Sequence, residues 1–190
     1  MKPKSDKRER LLHAAAEVFW RHGFSATSLA DIAHASDVPL GNIYYYFKTK
    51  AAIAEGVAEI FVASTLRSLA GIDQNAKLPS EKLTAFVALL KESAATRTER
   101  GCPIANAIRD FSPLVPAAAS RTNDVFDTLI GWVGQTLSRA GDRNALRHAR
   151  SAIARWQGAI VLAQAARDPA LLLEALSDLE ADLLIWSKSG

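Results

Sequence analysis

The stretch "VPLGNIYYYFKTK", Val38 to Lys50, places an asparagine, three adjacent tyrosines and two lysines side by side. A phenol donates and accepts hydrogen bonds, a primary amide carries donor and acceptor in one plane, and a lysine adds a mobile positive charge. Nucleic acid answers to that combination: hydroxyls and ammonium groups meet phosphate oxygens, and an amide reads a base edge. Successive side chains on a helix are rotated by about 100°, so three adjacent tyrosines cannot all point inward. Ile43 and Phe47 form an i, i+4 apolar pair that claims the inner face. Tyr44 and Tyr45 then face outward, where their hydroxyls reach phosphates or their rings meet a thymine methyl; Tyr46 is ambiguous between the two sides. Lys48 and Lys50 follow at the helix end and are expected to contact phosphates, setting register without reading sequence.

A side chain reads DNA only if its helix is held rigidly by others. A first helix is expected from about Lys7 to His22, with Leu11, Ala15, Val18 and Phe19 on one face and Gly23 as its left-handed stop. A second begins at "ATSLADIA", capped by Thr27 or Ser28 and turning Leu29, Ile32 and Ala33 inward. Asp37 occupies the tight turn before a third short helix with Pro39 in its first turn. Two short helices joined by a tight turn, preceded by a basic helix and followed by lysines, have the layout of a helix-turn-helix.

At these residues the chain resembles the TetR family of transcriptional regulators. The run "TSLADIAHASDVPLGNIYYYFKTKAAI" is similar to that family's signature, and the resemblance spans about residues 8 to 55. It implies a dimer on a palindromic double-stranded DNA operator, usually as a repressor, with a variable C-terminal domain for a small-molecule inducer and for dimerisation. Carried over by position, Thr27 and Ser28 would anchor the second helix to phosphate, Gly41 would allow close approach to DNA, and Asn42 would reach a base edge. Tyr44, Tyr45 and Lys48 would hold the backbone. Two positions depart from the pattern: Asp37 stands where the family often has glycine, and Leu40 replaces a common lysine. Leu40 brings no phosphate charge but could touch a thymine methyl.

The rest of the chain is helical in period and shows no lasting alternation, so the fold class is all-α: a helix-turn-helix domain at 1–48 and a helical ligand-binding and dimerisation domain at 49–190. A long fourth helix is expected to end near Ala70 or Gly71, with "GIDQNAKLPS" as a loop and Ser80 capping a fifth. The segment "TERGCPIANAIRDFSPLVP" breaks that helix. Long helices follow at about Pro116 to Ala140, Asp142 to Ala166 and Pro169 to Ser187, the last with Asp168 as N-cap. Ile153, Trp156, Ile160 and Val161 on one of these, and Leu172, Leu176, Leu179 and Leu183 on the next, form apolar faces wide enough to suggest a homodimer through a four-helix bundle. "GCPIANAIRDFS" with the distal "ARWQGAIVLAQAARDPALL" is similar to a TetR subgroup that includes repressors of electrophile-detoxifying reductases. Cys102, Asn106, Trp132 and Trp156 are the candidate ligand-binding residues. Cys102 is either a small buried core residue or a thiol activated at a helix start; the tryptophans either line a cavity or are plain core.

Composition narrows the alternatives. Residues 1 to 50 hold eight Lys/Arg against five Asp/Glu, and the remainder fifteen against fifteen, so the whole net charge of +3 lies in the first segment. That asymmetry suits an anionic partner, although a solvated tail would show the same excess. The richest apolar stretch, Ala159 to Ala166, is interrupted by Gln164 and far short of the roughly 20 residues a bilayer needs. The start "MKPKSDKRER" lacks the apolar segment of a secretory signal, and a single cysteine fits a reducing compartment, so a cytoplasmic location is expected. His13, His22, His34 and His148 stand in no metal-ligand spacing, and no phosphate loop, nucleophile elbow or paired carboxylates occur. No metal, cofactor or catalytic residue is assigned, which sets an enzyme behind a ligand-responsive regulator and behind a helical DNA-binding protein without a ligand.

Overall fold

In the computed structural model, residues 4–188 are described; residues 1–3 and 189–190, among them the first lysine of the basic start, lie outside them. Among the described residues all regular secondary structure is helical, in the order α1 (Lys4–His22), α2 (Leu29–Ser36), α3 (Leu40–Tyr46), α4 (Lys50–Asn75), α5 (Pro79–Glu92), α6 (Ala94–Arg100), α7 (Pro103–Phe111), α8 (Pro116–Arg139), α9 (Ala145–Ala166) and α10 (Pro169–Trp186). The chain divides into two compact units: Met1–Ser64 with Pro103–Val125, and Thr65–Cys102 with Phe126–Gly190. The first therefore extends beyond a cut at residue 48, because the front of α4, all of α7 and the front of α8 fold with the three N-terminal helices.

In the first unit, α1 stops at Gly23, whose φ of 81° is open to glycine at little steric cost. Phe24 then turns back into the core, where Phe19, Phe24 and Phe111 meet edge to face at centroid separations of 5.2 to 5.9 Å. Leu11, Leu12, Ile32, Val38, Ile43, Phe47, Ile53 and Val57 complete this core, so every short helix is pinned by at least one fully buried side chain. A β-carbon on Gly56 would lie 2.6 Å from Leu12 Cδ2, so glycine here lets α4 pack closely on α1.

The second unit is built on α9 and α10, which pack against each other and against α5 and α6. α10 opens with Asp168, whose carboxylate accepts from the Ala170 amide at 2.9 Å, followed by Pro169. Leu172, Leu176, Leu179 and Leu183 are at most 1% exposed, and Ile153, Trp156 and Ile160 at most 5%. This corrects the assignment of these residues to a dimer interface: the wide apolar faces exist to close the unit's own core, and only Val161 of the set, 63% exposed, is free to meet another molecule. α4 runs to Asn75 rather than stopping near Gly71, with the Asn75 side chain donating to the Gly71 carbonyl at 2.9 Å, and α5 is capped from Leu78 rather than Ser80.

Candidate nucleic-acid interface

The scaffold of the site is a turn between two capped helices. Ser28 Oγ accepts from the Asp31 amide at 3.2 Å while Asp31 Oδ2 accepts from the Ser28 amide at 2.7 Å, a reciprocal capping box that fixes the start of α2. The Ser28 amide and hydroxyl hold the Asp31 carboxyl below the ordinary aspartate range. α2 ends at Asp37 in the left-handed region (φ 53°, ψ 41°), its amide returning to the Ala33 and His34 carbonyls. α3 starts immediately after Pro39. Its inner face is locked: Ile43 is 0% and Phe47 4% exposed.

The outer face is open. Leu40, Gly41, Asn42, Tyr44 and Tyr45 are all exposed, with Tyr44 at 49% and Tyr45 at 60%. The Tyr45 and Tyr46 rings meet edge to face at 5.1 Å, and Tyr46 is half-buried against the core. A β-carbon on Gly41 would meet nothing within 4 Å, so nothing inside the protein demands glycine there. Lys48 is exposed in the connection between α3 and α4, just past the helix. Arg8, which sequence reasoning did not single out, places its guanidinium 5.2 Å from the Phe47 ring centroid and so adds a positive charge from α1 beside the end of α3.

Two residues read as phosphate contacts are placed otherwise. Thr27 is 3% exposed and its hydroxyl donates to the Gly23 carbonyl at 2.8 Å, because the turn between α1 and α2 folds it inward. Lys50 points back 26 residues: its ammonium donates to the carbonyls of Phe24 (2.7 Å), Thr27 (2.8 Å) and Ser25 (3.3 Å) and lies 4.5 Å from the Phe24 ring centroid. It ties the front of α4 to the turn before α2, and burial pushes its pKa below the ordinary lysine value.

The candidate ligand residues of the second unit fall into two sets of contacts. Cys102 is 3% exposed and accepts from Arg97 Nη1 at 3.4 Å; the same guanidinium lies 5.0 Å from the Trp156 ring centroid, so these two share one cation in the second unit. Trp132 belongs to another cluster, with its indole N–H donating to Asp73 at 3.0 Å and its ring against Phe86. Asn106 sits in the first unit, on a small aromatic-walled cavity with Trp20 and Asp110. Among the described residues no group of three His, Cys, Asp or Glu side chains is arranged to hold a metal ion, and no helix is long and apolar enough to cross a membrane.

A buried inner face and an open polar outer face on the second of two short helices define a helix-turn-helix protein. Residues 11–57 match the family model described as bacterial regulatory proteins, tetR family, and residues 79–177 match that of the transcriptional regulator LmrA/YxaF-like C-terminal domain. The chain belongs to the TetR family of transcriptional regulators. Among curated relatives, the HTH-type transcriptional repressor DhaR of Mycobacterium sp. (strain GP1) is 26% identical over 162 residues, covering 81% of this chain and 80% of that one. Among solved structures, a TetR-family regulator from Streptomyces coelicolor aligns with a TM-score of 0.83 at 18% identity, over 97% of each chain. The reduced form of NemR from Escherichia coli aligns at 0.76 and 20% identity, over 92% of this chain and 95% of that one. These similarities establish the fold and a regulator rather than an enzyme.

Proposed function

We propose that this regulator is a repressor that binds a palindromic operator as a homodimer in the cytoplasm and releases it when a small molecule binds its C-terminal helices. The observation that carries the reading is the outer face of α3, where Leu40, Asn42, Tyr44 and Tyr45 project around an unobstructed Gly41 while Ile43 and Phe47 hold the helix still. In the major groove Asn42 pairs with a base edge, Leu40 packs on a thymine methyl, and Tyr44, Tyr45, Ser28, Lys48 and Arg8 hold the phosphates on either side. Dimerisation is supported by large apolar side chains that the unit's own core leaves uncovered: Val161 and Leu162 on α9 are 63% and 67% exposed, and Leu173 on α10 is 40% exposed. Two copies joined there would present two α3 helices about 34–36 Å apart, one turn of DNA. The test is retardation of the DNA upstream of the regulator's own gene at increasing protein concentration, with sedimentation of the free protein. Two protomers per symmetric site is the expected result; a monomer that still binds one specific sequence overturns the dimer reading.

A further inference from the structure

The helix-turn-helix carries a charge opposite to that of its partner. From His22 to Phe47 the chain holds no lysine and no arginine but two carboxylates, Asp31 and Asp37. Lys48 is the first cation after it, and Arg8 joins from α1 beside the end of α3. Asp31 has a structural use, because it closes the capping box with Ser28. Asp37 has none. It is exposed, and among the described residues its carboxylate makes no hydrogen bond and no ion pair; α3, which follows it, takes no side-chain cap.

The turn needs only the backbone of residue 37. Its amide closes α2 on the Ala33 and His34 carbonyls, with φ 53° and ψ 41° in the left-handed region. Glycine enters that region without steric cost and asparagine enters it about as readily as aspartate, and neither brings a charge. The carboxylate is also opposed locally, since it stands at the C-terminal, negative end of the α2 dipole. Folding therefore gives no reason for a negative charge at this position.

We propose that Asp37 lowers the sequence-independent part of DNA affinity: its free carboxylate repels the phosphates that flank α3, so a duplex lacking the operator's base contacts is held only weakly. The proposal rests on α3 being the helix that reads DNA. Leu40, the first residue of α3, is three residues on, at most about 10 Å along the chain, so the flanking phosphates fall within roughly one Debye length of Asp37 at 0.1 M salt. Non-specific binding is almost wholly electrostatic, and a like charge facing the partner is one way an interface rejects wrong partners. The groove-facing side chains Leu40, Asn42, Tyr44 and Tyr45 are uncharged, so this one carboxylate offsets a large share of the attraction from Lys48 and Arg8.

Two variants separate charge from backbone. Asp37→Asn keeps the side-chain shape and the left-handed conformation and deletes the charge; Asp37→Gly deletes the side chain as well. The full-length protein and both variants are titrated by fluorescence anisotropy, from 50 to 300 mM salt, against an operator selected from random DNA by the wild-type protein and against a scrambled duplex of equal length. Both variants should bind the scrambled duplex roughly 3–10-fold more tightly at 50 mM salt and within about twofold of wild type at 300 mM, where charges are screened over a shorter range. Operator affinity should rise by a similar factor, and neither variant should melt below wild type. Equal affinity of wild type and both variants at 50 mM salt overturns the proposal, and a gain in Asp37→Gly alone overturns it by assigning the effect to the backbone. Operator affinity lost in Asp37→Asn while the scrambled duplex is unaffected also overturns it, because the carboxylate would then accept from a base amino group. A melting temperature lowered by Asp37→Asn overturns it by giving the carboxylate a structural role. These outcomes leave the DNA-reading role of α3 intact; a wild-type protein that selects no operator and binds no duplex removes that role and the proposal together.

Discussion

Lys48 and Lys50 stand two residues apart, and the structure predicts opposite consequences for removing them. Lys50→Met keeps the aliphatic stem and deletes the ammonium that bonds the Phe24, Thr27 and Ser25 carbonyls. A hydrogen bond to a charged group contributes about 1.5–3 kcal/mol. The exposed Ser25 carbonyl regains water, and desolvation of the ammonium offsets part of the other two. The net loss is then about 2–3 kcal/mol, including roughly 0.5 kcal/mol for the contact over the Phe24 ring. At ~2–4 °C per kcal/mol for a chain of this size, the melting temperature should fall by roughly 5–10 °C. Operator affinity measured well below that temperature should keep its salt dependence. Lys48→Ala should do the reverse, leaving the melting temperature in place and lowering the salt slope by about 2, one phosphate contact in each half-site. Thermal unfolding followed by circular dichroism, and fluorescence anisotropy with labelled operator from 50 to 300 mM salt, separate the two outcomes. A Lys50→Met protein with unaltered melting temperature and a slope reduced by about 2 would refute the assignment of Lys50 to the scaffold.

Two glycines of α4 should respond with opposite signs. Gly71→Ala meets nothing within 4 Å and should stabilise by ~0.5–1 kcal/mol through helix propensity; Gly56→Ala drives a methyl to 2.6 Å from Leu12 and should destabilise by ~1–2 kcal/mol in denaturant titration, less when combined with Leu12→Ala. Asn42→Ala should relax discrimination by ~1–3 kcal/mol at one base pair per half-site, read by competition with single-substituted operators, while affinity for non-specific DNA is unchanged. Asp31 has a folded pKa below its unfolded value, so its contribution to the α2 cap is full above the ordinary value of 3.8 and disappears as pH falls through the folded value. The stability gap between wild type and Asp31→Asn should narrow as pH falls below the ordinary aspartate value; a gap that does not change with pH contradicts the cap.

The inner face of α3 was legible because an i, i+4 pair of large apolar residues has one placement on a short helix, and Ile43 and Phe47 are indeed buried. The Asp168–Pro169 start of α10 and the Gly23 stop of α1 were legible for a similar reason: each depends on one residue's local chemistry. Lys50 was not, since its partners lie 23 to 26 residues back and only the folded core brings them within reach. Thr27 and Ser28 looked interchangeable as caps, and the choice fell to Ser28 because Asp31 completes its box. The leucines of α10 misled for a different reason. A helix closed over by α9 and α5 carries as wide an apolar stripe as one waiting for a second copy, and periodicity does not distinguish them.

The central claim is that the outer face of α3 grips DNA while its inner face only holds the fold. The most direct measurement is operator affinity of the Tyr44→Ala, Tyr45→Ala double variant beside its thermal stability, using an operator selected from random DNA by the wild-type protein. Both rings are about half exposed or more, so the melting temperature should move by less than ~2 °C. Specific affinity should fall by at least ~100-fold, as two backbone contacts per protomer are lost from both half-sites. Undiminished operator binding in a fully folded double variant would contradict the claim and move the DNA contact to another face of the molecule.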